Sequence, residues 1–235
     1  MNIKKNIMAH IPHQSLSSRL WANNKMKKDM RNALLNIAYE FIDYLGISID
    51  VIDITITGSY ANYNYTPYSD IDLHVIIDFD SIGGDLDLVE EFFNAKKSFW
   101  NDRHDIELRG IEIELYPQNS KEEHSSTGVY SVLNNEWIVE PKRFKTDLDV
   151  DSLTKKSKIV RKEIAIAMKN ALESNNIIPV KNIIKKIRKM RISGLEKAGE
   201  LSDENIIYKV IRNSGDLQKL FNLKDKLLDL KLSKI

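Results

Sequence analysis

An α+β fold is predicted for this 235-residue chain, a mixed sheet flanked by helices in the front half followed by a C-terminal helical domain. Two periodicities, and the point where one replaces the other, carry that prediction. Apolar residues alternate at Ile52, Ile54 and Ile56, at Ile71, Leu73, Val75 and Ile77, and at Ile111, Ile113 and Leu115, the period of strands with one buried face. From Leu153 onward the spacing becomes three and four, as in Val160, Ile164, Ala167 and Ala171, and alternation does not return.

Residues 1–24 show little periodicity and read as a loose surface arm, with His10 and His13 beside Pro12 as surface histidines rather than metal ligands. From about Lys25 to Leu45, Met30, Leu34, Ile37, Ala38, Phe41 and Leu45 follow helical spacing, and Gly46 supplies the stop. A strand near 51–57 leads into Gly58-Ser59, and the segment DFDSIGGD after the next strand has turn chemistry. Leu86, Val89, Phe92, Phe93 and Trp100 predict a helix ending near Asn101, its aromatics in the core. In DIELRGIEIELYPQ the alternation through Ile106 and Leu108 changes phase across Arg109-Gly110, which calls for a tight turn or bulge.

A polar stretch with Ser125, Ser126 and Gly128 follows, then VYSVL and Trp137 as short strands or an ordered loop. Pro141 and the charged run to Asp151 mark a boundary. Behind it, helices are expected on Val160 to Ala171, on Val180, Ile183, Ile184, Ile187 and Met190, on Ile206 to Ile211, and on Leu217 to Leu228. The expected domains are thus 1–24, 25–145 and 146–235.

A hydrophobic fraction of 42% at this length is enough to bury a true core, which excludes a fibrous or single-helix chain. The absence of cysteine excludes disulfides and thiolate zinc sites and suits a reducing cytoplasm. The opening MNIKKNIMAHIPHQ lacks the apolar core of a secretion signal, no stretch approaches a membrane span, and the formal charge of +1 gives no overall polyanion signal.

The chemistry is expected at GSYANYNYTPYSDID, residues 58–72. On a strand, Asp70 and Asp72 share a face opposite Ile71 and Leu73, and two carboxylates side by side repel each other until a divalent cation sits between them. Oxygen donors of this kind suit Mg²⁺ or Mn²⁺. The small Gly58-Ser59 pair lets backbone N–H groups approach a phosphate closely. Glu112 and Glu114 likewise share one face of a later strand, and parity alone does not separate them. His74 continues the Asp72 face as a half-buried structural histidine or a substrate contact, and Tyr60, Tyr63, Tyr65 and Tyr68 either pack the intervening loop or stack on a base.

A Gly-Ser turn, a loop of about ten residues, an Asp-x-Asp strand and a later strand bearing a third acid together resemble the DNA polymerase β-like nucleotidyltransferase superfamily. NYTPYSDIDLHV, IELYPQ, STGVYSVLNNEW and GLEKAGELSDENIIYKVIR are similar to segments of nucleotidyltransferases from tailed bacteriophages and bacteria, a likeness running from about residue 20 to 222. It implies a nucleotidyltransferase-type sheet and transfer of a nucleoside monophosphate from an NTP such as ATP, assisted by two Mg²⁺ or Mn²⁺ ions, in a bacterial or phage-infected host cytoplasm. By the same likeness Asp70 and Asp72 would bridge the metals, Glu114 (with Glu112 as its rival) would be the third ligand, and Gly58 and Ser59 would grip the triphosphate together with Lys209 and Arg212. The third acid of the family is commonly aspartate, where this chain has glutamate.

The acceptor is not implied. Lys181, Lys185, Lys186, Arg188, Lys189 and Arg191 form the one basic run, either an RNA contact or the solvated face of a helix whose other face is Ile183, Ile184 and Ile187. On that run an RNA 3′ end is placed slightly ahead of a small molecule or a protein side chain as acceptor. A nucleotidyltransferase fold that binds nucleotide or RNA without turnover is the alternative.

Overall fold

The computed structural model describes residues 2–122 and 126–233; Ser125 of the polar stretch lies outside the described residues. In chain order the elements are α1 (Ile3–Met8), β1 (Trp21–Ala22), β2 (Lys25–Met26), α2 (Lys28–Leu45), β3 (Val51–Thr57), β4 (Ile71–Ile77), α3 (Leu86–Arg103), β5 (Glu107–Leu108), β6 (Ile111–Asn119), β7 (Val129–Ser131), β8 (Glu136–Val139), α4 (Val150–Glu173), α5 (Ile178–Ala198), α6 (Asp203–Asn213) and α7 (Asp216–Leu232). They fall into two compact units: Pro12–Lys145, which holds β1 to β8, and Met1–Ile11 with Thr146–Ile235, which is helical. The predicted α+β architecture, a mixed sheet flanked by helices and followed by helices, is the one observed.

Six strands form a mixed sheet in the order β5-β6-β4-β3-β7-β8, in which β4 and β6 run parallel and the other neighbours antiparallel. Ile54, Ile56, Ile71, Leu73, Val75, Ile77, Ile113 and Leu115 are buried on one face in a single core with Leu34 and Phe41 of α2 and Phe93 and Trp100 of α3. Ile52, which opens the first alternating series, is half exposed instead, because the β3–β4 register shifts between Val51 and Asp53 and takes it out of phase. The phase change at Arg109-Gly110 is a two-residue hairpin joining β5 to β6, with φ of 54° and 70° at the two turn residues, the left-handed pair that matches strand twist. Beyond this short hairpin the edge of β6 is covered by α3: the Asn101 amide donates to the Leu115 carbonyl at 3.1 Å and accepts from the Leu115 N–H at 3.1 Å, taking the place of a strand partner.

Two expectations for the N-terminal region are corrected. The helix expected from Lys25 begins at Lys28, because Lys25–Met26 pairs with Trp21–Ala22 across Asn23 and Asn24, whose φ values of 52° and 59° make a second tight hairpin. The first 24 residues are not a loose arm. Within the sheet unit, buried Trp21 stacks on Trp137 at 4.6 Å and its Nε1 donates to the Tyr60 carbonyl. His13 stacks on Tyr65 at 3.9 Å.

The helical unit has its own core, in which Ile7 of α1 joins Leu153 and Ile164 of α4, Ile183, Ile184 and Ile187 of α5, Ile206 and Val210 of α6, and Leu220 of α7. No helix among the described residues is long and apolar enough to cross a membrane. His10, just past α1, is only 4% exposed, and burial together with the nearby Lys209 and Arg212 charges lowers its pKa from 6.5 to about 4. A pKa lowered by folding means that the unfolded chain takes up the proton first. The contribution is therefore complete above pH 6.5 and is lost as pH falls toward 4, up to about 3 kcal/mol. Urea unfolding at stepped pH values should show this loss in the native chain and a shallower pH dependence in His10→Gln; the same slope in both would contradict it.

Candidate active site

The parallel ladder pairs Ile71 with Ile113, Asp72 with Glu114, and His74 with Tyr116, while antiparallel β3 places Thr57 opposite Asp72. Thr57, Asp72 and Glu114 therefore form one row across three strands, on the face opposite the isoleucine core. Asp70 immediately precedes β4. Glu112 shares the parity of Glu114 but lies across from Glu107 of β5, so the register brings Glu114 and not Glu112 opposite Asp72.

Gly58 follows β3 with φ of 69°, and a Cβ at this position would run into the Asp72 carboxylate at Oδ2. Its missing side chain is what lets the turn backbone lie against Asp72. Ser59 accepts the Asn62 N–H through its carbonyl at 3.1 Å, closing the turn. Gly128 holds the other side of this turn. Any side chain there would strike the backbone of Ala61.

Glu114 is fixed by a residue outside the expected site, Tyr116, whose hydroxyl donates to Glu114 Oε2. The Tyr116 ring lies beside His74 at 5.1 Å, with Lys97 Nζ over it at 4.4 Å, and His74 Nε2 is 3.0 Å from Thr57 Oγ1. Burial raises the Tyr116 pKa above the ordinary phenol value, reinforced by its bond to Glu114 and by the charges of Glu114, Asp72 and Asp70. Partial desolvation raises Glu112 as well, and the charges of Glu114 and Asp70 push it the same way. These carboxylates thus act on one another as a single negative patch. In kind, its oxygen donors fit a hard divalent cation. Among the described residues no three acids or histidines already converge as a finished metal cage.

The tyrosine loop is mostly packing. Tyr60 and Tyr63 are buried, Tyr65 lies between His13 and Tyr60, and Tyr68 is the exposed one of the four. Lys209 and Arg212 belong to α6 of the helical unit, where Lys209 pairs with Glu200 at 3.0 Å and Arg212 is exposed. The basic run lies on α5 with Ile183, Ile184 and Ile187 inward; Lys186 pairs with Glu163, and Arg191 is half-buried over the Tyr208 ring at 4.4 Å. Tyr116 had a sequence signal, since it stands two residues after Glu114 on the same face. Lys97 and Asn101 sit among the polar residues of an ordinary helix, and nothing in their spacing marks them.

The family model for the nucleotidyltransferase domain matches residues 39–189. No curated protein and no solved structure matches the chain.

Gly58→Ala adds a Cβ where φ is left-handed and where Asp72 already stands. It should lower unfolding free energy by about 1–2 kcal/mol in urea titrations. Displacement of the Asp72 carboxylate should lower pyrophosphate release well beyond what that loss of stability explains. Native turnover in a destabilised Gly58→Ala protein would show that the close approach serves folding alone.

Proposed function

Because the chain belongs to the nucleotidyltransferase domain family, we propose that it transfers a nucleoside monophosphate from an NTP to an acceptor hydroxyl and releases pyrophosphate, with Asp70, Asp72 and Glu114 as its catalytic acids. The observation that carries this reading is the register that sets Glu114 beside Asp72, with the Gly58 turn against the same aspartate.

In this reading the backbone of Gly58 and Ser59 receives the triphosphate, since N–H groups at a tight turn make an anion-binding concavity. Asp70, Asp72 and Glu114 would hold two Mg²⁺ or Mn²⁺ ions, which supply neutralisation of the triphosphate and acidification of the acceptor hydroxyl. The longer side chain of Glu114 is held by Tyr116, which restrains the extra methylene relative to aspartate. With one Glu114 oxygen engaged by the phenol, the other is left to face the acceptor side and take up its proton. Lys209 and Arg212 are proposed as triphosphate contacts on family likeness. On α5, Lys186 and Arg191 are engaged within the helical unit, while Lys181, Lys185, Arg188 and Lys189 are exposed and form the surface an RNA acceptor would use.

The test follows release of pyrophosphate and transfer of an α-phosphate label from each NTP, with Mg²⁺ or Mn²⁺ supplied. Asp72→Asn and Glu114→Gln should each lower the rate about 100-fold or more while leaving the unfolding transition in place. Glu112→Gln should be milder, about tenfold or less by the same reasoning. If Glu112→Gln is the more damaging, the third acid is Glu112. Nucleotide binding with no pyrophosphate from any NTP would make the chain a binding module.

A further inference from the structure

The face that carries Asp72 and Glu114 continues along β4 and β6 through His74 and Tyr116 to Gln118, and there it opens into a cavity of about 350 Å³. A volume of this order lies at the lower end of the range for small-molecule sites. The walls come mainly from β6 and from Glu90, Asn94 and Lys97 of α3, with Thr57 and His74 as the contributions of β3 and β4. Most of the cavity therefore lies toward the Glu114 flank of the row, where β6 and α3 stand, with Thr57, the residue before Gly58, reaching its wall from β3. Its near wall, at Tyr116, is two residues of strand from Glu114, roughly 7 Å.

Phe79, Phe93 and Pro117 give the cavity an apolar floor, and the side-chain amides of Gln118 and Asn94 add groups that both donate and accept. Gln118 Oε1 is buried with no hydrogen-bond partner among the described residues. A buried amide oxygen left unmatched is unfavourable, and a donor arriving from an occupant would relieve it. Lys97 is the cation of this lining, and its ammonium lies over the Tyr116 ring, while Glu90 and Glu122 add negative charge at the walls. A polyanion such as RNA meets the wrong sign here, because backbone phosphates need lysine and arginine.

Resting on the transferase reading above, we propose that this cavity is the acceptor pocket and that the acceptor is a small polyhydroxylated molecule without phosphate or carboxylate charge. Its C–H surface lies on the aromatic floor and one hydroxyl reaches past Tyr116 to Glu114. That hydroxyl oxygen attacks the NTP α-phosphorus: the new O–P bond forms as the bond to the bridging oxygen breaks, pyrophosphate leaves with that electron pair, and the hydroxyl proton passes to Glu114.

The test offers an α-phosphate-labelled NTP and Mg²⁺ with three acceptor pools, a small-molecule ultrafiltrate of a cell extract, total RNA, and dialysed protein. Label is expected in the filtrate. Asn94→Trp, on an exposed stretch of α3 at the cavity wall, and Gln118→Leu, nearly isosteric, should each raise the filtrate concentration for half-maximal labelling at least about tenfold with the NTP KM unchanged, as loss of one matched polar contact predicts. Label in RNA or protein, or equal use of filtrate by both variants and the native chain, overturns the pocket while leaving the transferase intact. No pyrophosphate release with any pool and any NTP overturns both readings.

Discussion

The parallel pairing of β4 with β6 is the constraint on which the sheet unit rests. Residues forty-two positions apart in sequence are brought side by side by α3, and the register Ile71↔Ile113, Leu73↔Leu115 sends Ile71, Leu73, Val75 and Ile77 of β4 and Ile111, Ile113 and Leu115 of β6 into the core. Each such side chain, fully buried, contributes about 1.5–3 kcal/mol. The polar set has no choice but to emerge on the opposite face. Like charges about 4 Å apart near a protein surface cost about 4 kcal/mol, so the crowding of Asp72 against Glu114 is small beside the summed burial of the side chains that impose it. A slip of one residue in either strand would exchange the two sets and expose the core.

What the ladder places, the neighbouring side chains then hold. Tyr116 restrains Glu114, His74 and Lys97 hold the Tyr116 ring, and Thr57 meets His74 from β3. The same α3 that carries Lys97 also caps the edge of β6 through Asn101. Edge protection and support of the acid row are thus duties of one helix, which ties β6 to the geometry of its carboxylate.

The strands and helices were legible because burial imposes a period, and the turn at Arg109-Gly110 because a period cannot change phase without one. Parity does not separate Glu112 from Glu114, and in the sequence only the family likeness favours Glu114; which of them lies opposite Asp72 is fixed by the partner strand. The N-terminal region was misread for a related reason. Trp21 is buried by Trp137 and Tyr60, which are remote in sequence, and a two-residue strand is too short to show any alternation. The cavity beside Gln118 was invisible because it is bounded by the C-terminal end of β6 and a helix face, and no linear motif records the space between them.

The raised proton affinities of Glu112 and Tyr116 follow from the same arrangement. Partial burial is the larger cause in both, and the charges of Glu114 and Asp70 add to it, so each resists adding another negative charge to the patch. The burial of the opposite face fixes the register and so holds these acids close together. A cation that binds this row in the folded form alone would raise its stability by mass action. The isoleucine face behind the row is what keeps its acids side by side.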